Sequence, residues 1–241
     1  MRGEKNFLQS IIDPAPQTIS VVIPTLNEAE GLPETVTRAR LVPEMNEIIV
    51  VDGGSRDRTY EIAAQLGCRV LTCAAGRGNQ MRHGAAHASG DVVVLLHADT
   101  WLPPEAGRAA LDCLRDQGVV GGGFWKIFRD PSPLMHGSRW RCAAHFYLCK
   151  RFFGDQAIFV RRDVLDQIGG VPDHPLMEEF ELCRRLRQVG RLALADATVT
   201  TSARRFAKLG VVRTYLRMGR VMLLYQLGKS PLELRQIYER D

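Results

Sequence analysis

The chain has 241 residues, enough for one large α/β domain or two small ones sharing an interface, and its 45% hydrophobic, 24% charged composition excludes disorder, collagen and low-complexity arrays. The net charge of +5 is uneven, since residues 201–241 hold 9 Lys and Arg against 3 Asp and Glu. A basic tail suits nucleic acid, anionic lipid, a phosphorylated ligand or plain solvent; without an aromatic-rich basic run or zinc-finger spacing, nucleic acid is the weakest of these.

The six cysteines form no CxxC pair and have no histidine at metal spacing, which reads as reduced thiols in a cytoplasmic protein. Met1–Asp13 lacks the long apolar core of a signal peptide, and no window reaches the ~18 apolar residues of a membrane span. The expectation is a soluble protein, or one peripheral at the inner membrane face.

In chain order, Thr18–Ile23 is a β-branched run stopped by Pro24, short and apolar enough for a strand buried on both faces. A loop and a charged helix to Arg40 follow, then strand Glu47–Val51, helix Ser55–Gly67, strand Arg69–Thr72, helix Gly78–Ser89 and strand Asp91–Leu96. Strand alternating with helix predicts an α/β fold with a mostly parallel, doubly wound sheet. The second half is less regular. It reads as helix Pro103–Gln117, a bent strand Gly118–Arg129 with three glycines, a long helix Pro131–Phe152, strand Asp155–Arg161, helix Met177–Val189, strand Ala197–Thr201 and a basic amphipathic helix Arg213–Leu227. No Pro-, Gly- or Ser-rich linker divides the chain, so one domain is expected: residues 18–117 as its nucleotide-binding half, 118–206 as its acceptor side, and 207–241 as basic C-terminal helices.

Ligands of open parallel sheets bind beyond the carboxyl ends of the strands. Those positions hold Pro24-Thr25-Leu26-Asn27-Glu28, Asp52-Gly53-Gly54-Ser55 and His97-Ala98-Asp99-Thr100, each with a carboxylate. Three converging acids need donors or a cation between them. A nucleoside supplies donors for Glu28 and Asp52, and a divalent metal with a diphosphate satisfies Asp99. Helix capping is the alternative; it fits Asp52 or Ser55 singly and accounts poorly for all three acids. Two generic nucleotide motifs fail, because Met81 stands where a dinucleotide fingerprint needs its third glycine and Leu223 where a P-loop ending in Gly228-Lys229-Ser230 needs its first.

SVVIPTLNEAEGL (Ser20–Leu32), VVDGGSRDRT (Val50–Thr59), GRGNQMRHGAAHASGD (Gly76–Asp91) and LLHADT (Leu95–Thr100), in this order and spacing, resemble family 2 glycosyltransferases, which have the GT-A fold. GDQAIFVRR (Gly154–Arg162), LMEEFELCRRL (Leu176–Leu186) and TSARRF (Thr201–Phe206) resemble a small soluble branch labelled radical-SAM/selenodomain-associated transferase, some members of which are tied to arsenosugar biosynthesis. The resemblance implies that Pro24, Thr25, Asn27 and Glu28 line the nucleoside pocket, that Asp52 contacts the base, and that Asp57 holds that loop. It implies Arg77 and Gln80 at the ribose or diphosphate, and Asp99 as the last acid of a DxD motif binding Mn²⁺ or Mg²⁺. His97 stands where the wider family has the first Asp, either as a softer ligand suited to Mn²⁺ or as a structural histidine.

The catalytic base of inverting members is an Asp in a Glu-Asp pair at a helix start, and the matching residue is Glu179, between Glu178 and Glu181. The alternative for these acids is pairing with the helix dipole. As a base, Glu179 is expected to have its pKa raised by burial and by Glu178. Gly154, Asp155 and Gln156 match the acceptor side, with Asp155 alternatively a turn cap. Arg204 and Arg205 match a diphosphate clamp, against a default of surface arginine.

The implied activity is transfer of a sugar from a nucleotide-sugar donor, UDP- or GDP-linked, to a hydroxyl of a small-molecule or lipid-linked acceptor. A sugar nucleotidyltransferase is disfavoured because the Pro24–Glu28 loop is acidic and lacks glycine. A nucleotide-binding or membrane-associated module without turnover draws only on the departures at His97 and Glu179. The helix Arg213–Leu227 either packs on the domain, forms a homodimer surface, or rests on an anionic membrane; the first two are preferred because an apolar stripe is more often core.

Overall fold

The computed structural model describes residues 16–129 and 132–240. One eight-stranded sheet runs through the molecule in the order β3-β2-β1-β4-β7-β6-β8-β5. The strands are β1 (Ile19–Thr25), β2 (Met45–Asp52), β3 (Arg69–Thr72), β4 (Val92–Leu95), β5 (Thr100–Trp101), β6 (Val119–Phe128), β7 (Ile158–Arg161) and β8 (Arg191–Thr201). β3, β2, β1 and β4 are parallel; β7 runs against β4 and β6, β6 and β8 are parallel, and β5 runs against β8. The helices are α1 (Leu32–Arg40), α2 (Thr59–Gln65), α3 (Arg77–Ala86), α4 (Ala106–Leu114), α5 (Ser138–Cys149), α6 (Arg162–Gln167), α7 (Glu178–Val189), α8 (Arg204–Leu209), α9 (Val211–Gln226) and α10 (Pro231–Arg240).

Both faces of the sheet are covered, and the two-residue period of the strands divides the core. Val21, Ile23, Val50 and Val94 pack with Val36 of α1 and Ala110 of α4. Val22, Ile49, Val51 and Val93 face the other way, toward Met81 of α3 and Leu182 of α7. This two-sided burial is why the predicted strands read as continuous apolar runs.

Pro24 does not stop β1, which continues through Thr25 opposite Asp52. Leu96 N–H donates to the Val22 carbonyl, so Val22 faces β4, and Pro24, two residues on, faces the same side beyond the last β1–β4 pair. The missing N–H therefore leaves no ladder partner unsatisfied.

The second half departs further from the expected elements. The helix expected over 131–152 starts only at Ser138, because Gly137 takes φ +78 and a short 3₁₀ turn, Pro133–Met135, precedes it. The strand expected from Asp155 begins at Ile158, Gly154–Gln156 being a 3₁₀ turn. β8 starts six residues before the expected Ala197. The β6–β8 pairing shifts register twice, with Val120 the extra residue in β6 and Asp196 and Ala197 the extra residues in β8, and Gly122 has no room for a Cβ between the Ala193 carbonyl and the Phe159 ring. The stripe expected on the C-terminal helix divides, since Val221 of α9 is buried with Met177, Phe180 and Leu234 whereas Leu216 and Leu223 point outward.

Candidate functional site

The strand order reverses at β1, with β2 on one side and β4 on the other, so the loops after β1 and β4 flank a crevice. The loop after β1 turns through Asn27 at φ +55, a left-handed conformation that Asn tolerates. Asn27 is tied to the loop after β2 twice: its N–H donates to Ser55 Oγ at 2.9 Å and its Oδ1 accepts from Arg56 N–H at 2.8 Å. Asp57 accepts the N–H of Ala29 at 3.2 Å and both the N–H and hydroxyl of Thr59, whose Oγ1 in turn accepts from Glu28 N–H. The Thr59 hydroxyl is the main reason the Asp57 carboxyl is held below its usual pKa.

Asp52, at the end of β2, accepts from the N–H groups of Gly54 (3.0 Å) and Ser55 (2.9 Å) and from the Ser55 hydroxyl. Pro24 and Thr25 close β1 beside it, with the Thr25 hydroxyl donating to the Val51 carbonyl. Gln80 of α3 turns toward the sheet. It is buried, its amide NH₂ donates to the carbonyls of Thr25 (2.7 Å) and Val51 (2.8 Å), and its Oε1 accepts from Gly76. Its donors clamp the ends of β1 and β2, so it is a positioning residue.

Arg204, at the start of α8, joins the other two acids. Its Nη2 lies 2.8 and 2.9 Å from the two oxygens of Glu28 and 3.5 Å from Asp99 Oδ2. All three side chains are 21–41% exposed, so this cation lies at the open edge of the cleft. Arg205 is next on α8, and its side chain lies outside the described residues. The Asp99 carbonyl accepts from Arg129 and from Ser202 N–H, which fixes the loop after β4 against the end of β8.

Across the cleft, α3 and α7 meet through charge. Arg77 donates Nε–H to Glu178 and Nη2–H to Glu179 at 3.2 Å. Burial opposes the Arg77 charge, but the two carboxylates outweigh it and its pKa is raised. The three acids of α7 are thereby distinguished. Glu181, held by Arg184 and Arg185, falls to about 2. Glu178, 1% exposed, is pushed up by burial but brought below the usual range by Arg77. Glu179 goes the other way: burial first, then the Glu178 charge, push it up to about 7. Simple dipole pairing lowers a carboxyl pKa, so it does not describe Glu179. The two glutamates sit beside Met81, Leu95, Ile158 and Leu182, which supply the desolvation. Met177, just before them, has φ +65, the local backbone strain that closely determined sites carry.

Gly154 brings the acceptor-side turn against His97, where a Cβ would lie 2.7 Å from His97 Nε2. That nitrogen is buried without a hydrogen-bond partner, and burial, then the Arg77 charge, lower the ring to about 4. Asp155 accepts from the buried Lys126 Nζ at 2.7 Å through Oδ2, while its Oδ1 is buried without a partner. Burial pushes the Asp155 carboxyl up, and Lys126 reverses this to a net lowering. Gln156 is fully buried, donating to the Phe124 carbonyl and accepting from Phe153 N–H, so it shapes the turn and cannot orient an acceptor. Sequence reasoning passed over Lys126; the available signal was a single charge inside the apolar alternation FWKIF.

The family model described as Glycosyl transferase family 2 matches residues 20–170. The chain belongs to this family. It is 36% identical over 106 residues to dolichol-phosphate mannosyltransferase of Pyrococcus furiosus, covering 41% of this chain and 30% of that protein. It is 40% identical over 100 residues to undecaprenyl-phosphate 4-deoxy-4-formamido-L-arabinose transferase of Pseudomonas paraeruginosa, covering 36% of this chain and 29% of that protein. The matches thus span less than a third of these relatives' length. Among solved structures, glucosyl-3-phosphoglycerate synthase of Mycobacterium tuberculosis, in complex with Mn²⁺, uridine diphosphate and glucosyl-3-phosphoglycerate, superposes with a TM-score of 0.56 at 22% identity, covering 77% of this chain and 70% of that one. That likeness shows the GT-A fold. No helix among the described residues is long and apolar enough to cross a membrane.

Metal use in the family rests on neighbours complexed with Mn²⁺ or Mg²⁺. Here Asp99 offers one partly exposed carboxylate at the cleft, which suits a hard cation that takes most of its ligands from phosphate and water. His97, the other expected ligand, packs its Nε2 on Gly154 and feels both the Arg77 cation and the Asp99 carboxylate. Among the described residues no group of three or more His, Cys, Asp or Glu could hold a metal ion.

Proposed function

We propose that this family 2 protein transfers a sugar from a nucleotide-sugar donor, UDP- or GDP-linked, to an acceptor hydroxyl with inversion of configuration. The observation that carries this is the meeting of Glu28 and Asp99, from the loops after β1 and β4, on the Arg204 guanidinium at the sheet's switch point. There a diphosphate meets a fork of N–H donors matched to two of its oxygens. The nucleoside rests against Pro24–Glu28 and the Asp52 loop, which Asp57 and Gln80 hold in shape.

In the reaction Glu179 accepts the acceptor hydroxyl's proton, the acceptor oxygen bonds to the anomeric carbon, and the bond to the diphosphate breaks with its electron pair leaving on the nucleoside diphosphate. A base with a pKa near 7 is well matched to that proton transfer. Arg77 holds Glu179 in place, and Arg204 stabilises the negative charge growing on the leaving group. A divalent cation held by Asp99 and the diphosphate would add Lewis-acid stabilisation of the same charge. Asp155, with Oδ1 unpartnered, is assigned to orient an acceptor hydroxyl near Gly154. Relatives named for dolichol-phosphate and undecaprenyl-phosphate support a lipid-linked acceptor, and the neighbour bound to glucosyl-3-phosphoglycerate supports a small phosphorylated one. The narrower branch with arsenosugar members rests on the segments around Gly154, Glu179 and Arg204.

The test is thermal unfolding with UDP, GDP, CDP and TDP, each with and without Mn²⁺. A ligand at about 100 times its dissociation constant adds about 2.7 kcal/mol, which for a chain of this size raises Tm by roughly 5–10 °C. The expected result is a shift with one nucleotide, enhanced by Mn²⁺, whose enhancement disappears in Asp99→Ala. No shift with any nucleotide removes the donor site and the transferase reading with it. Release of nucleoside diphosphate from the matching sugar nucleotide then separates an enzyme from a binding module.

A further inference from the structure

Helices normally turn their apolar residues inward, yet α5 and α9 each carry a second apolar stripe on the side away from the core. On α9, Val212, Leu216, Leu223 and Leu227 are 56–72% exposed. At 100° per residue they fall within an arc of about 60°, centred roughly opposite Thr214 and Val221, which are the buried residues of the same helix. On α5, Trp140, Tyr147 and Leu148 are 60–84% exposed and lie about opposite the buried Cys142 and Phe146. The two helices are neighbours, since Arg141 of α5 donates to the Tyr215 hydroxyl of α9 at 2.7 Å.

Charge identifies what covers this face. Residues 132–154 contain 4 Lys and Arg and no Asp or Glu, and residues 197–232 contain 7 and none. Arg139, Lys150, Lys208, Arg213, Arg220 and Lys229 are exposed beside the apolar stripes. Glu233, one residue beyond the second window, pairs with Lys229 at 3.3 Å, and a second copy of the chain on the same face would still set a surplus of cations against itself. Trp, Tyr and Leu standing among cationic side chains are the composition of a surface that enters the headgroup region of an anionic bilayer.

We propose that the outward faces of α5 and α9 form a docking surface for an anionic lipid bilayer, holding the protein at the membrane. The buried side of α9 packs on Met177 and Phe180, at the start of the helix that carries Glu179, so α9 itself stands between the docked face and that helix. The proposal stands apart from the transferase reading, because nothing in it depends on a bound nucleotide.

The experiment is flotation of the full chain with vesicles of phosphatidylglycerol and phosphatidylcholine in equal parts, beside vesicles of phosphatidylcholine alone. The chain is expected to float with the anionic vesicles at about 0.1 M salt and to be released at about 1 M, where the Debye length falls from about 10 to about 3 Å. The double variant Leu216→Ser, Leu223→Ser removes no core contact and is expected to lower partition by about tenfold or more, with Tm and the nucleotide shifts unchanged. Three results overturn the proposal: no flotation with anionic vesicles, equal flotation with neutral ones, or a double variant that floats like the parent. A concentration-dependent dimer in light scattering that the double variant abolishes also overturns it, and gives the stripe to a second copy. Loss of the nucleotide shifts in the parent protein sinks the donor site alone and leaves the flotation result standing.

Discussion

Asp52 and Asp57, in the loop after β2, accept hydrogen bonds from backbone N–H groups and neighbouring hydroxyls within a few residues or across to the loop after β1. Across the cleft, Asp155, Glu178 and Glu179 answer to Lys126 and Arg77, buried or half-buried cations brought from distant strands and helices, and they leave Asp155 Oδ1 without a partner. The first arrangement is satisfied at rest, the finished surface that the proposed donor site calls for. The second is poised, with one carboxyl near 7 and buried polar atoms that an incoming hydroxyl can satisfy. On the proposed reading, binding surface and reactive surface are built by different means, and each variant below tests one side of that contrast.

The largest effect is expected for Glu179→Gln. Loss of a positioned base lowers kcat by about 10²–10⁴, while the nucleotide shift persists. In the parent, activity is expected to rise with pH through about 7, as Glu179 loses its proton. The stability sign is opposite. A carboxyl whose folded pKa is raised from 4.5 to about 7 stabilises the fold while protonated, and that contribution is lost as pH rises through 7. The Gln variant is therefore expected to gain a few degrees of Tm at pH 8 and nothing at pH 4. A lower Tm at pH 8 instead returns Glu179 to the role of a helix-dipole partner.

Lys126→Met comes next and acts on stability. It leaves the half-buried Asp155 carboxylate without its buried cation, and since breaking a fully buried pair costs about 3–5 kcal/mol, the lower end, about 3 kcal/mol, applies. With about 2–4 °C per kcal/mol for a chain this long, Tm falls by roughly 6–12 °C. The double variant Lys126→Met, Asp155→Asn is expected to recover much of that loss without recovering activity. Equal Tm in the single variant and the parent denies the pair any role in the fold.

The same contrast explains what was legible in the sequence. β1 to β4 and the loop acids could be read because their information is local: a buried parallel strand is an apolar run, and its ligand loop follows at once. Arg77–Glu178 and Lys126–Asp155 span 101 and 29 residues, and no spacing rule joins such partners. Gln80 and Gln156 were expected at the donor and the acceptor, and their amides hold backbone groups within the fold. A glutamine that contacts ligand and one that clamps two strand ends look alike until the packing is known. The break at Gly137 depends on a left-handed conformation that glycine permits and does not announce, and the 3₁₀ turn at Gly154 ends on Ala157 at φ +50, where no glycine marks it.

Gln80→Ala tests the corrected role directly. Two carbonyls at the ends of β1 and β2 lose their donors, a loss of about 1–3 kcal/mol for buried groups. Tm falls, and the donor KM rises because both loops loosen, but the pH profile set by Glu179 keeps its midpoint. A variant with unchanged Tm and a large loss of nucleotide affinity instead puts Gln80 on the ligand.

Arg204→Ala is the mildest change for the fold and the most informative for the donor side. The side chain is 41% exposed, and an ion pair that open to solvent adds at most about 1 kcal/mol of stability. Its removal nevertheless leaves Glu28 and Asp99 facing an incoming diphosphate with no fixed cation between them. Nucleotide affinity is therefore expected to fall by about tenfold, or about 1.4 kcal/mol, with Tm of the free protein nearly unchanged. Arg204→Lys separates charge from geometry: it restores the charge without the planar fork, so affinity recovers only in part if two phosphate oxygens are held at once. Full recovery with Lys reduces Arg204 to a point charge, and an unchanged affinity in the Ala variant removes it from the donor site. In either event Glu179→Gln still reports on the other side of the cleft.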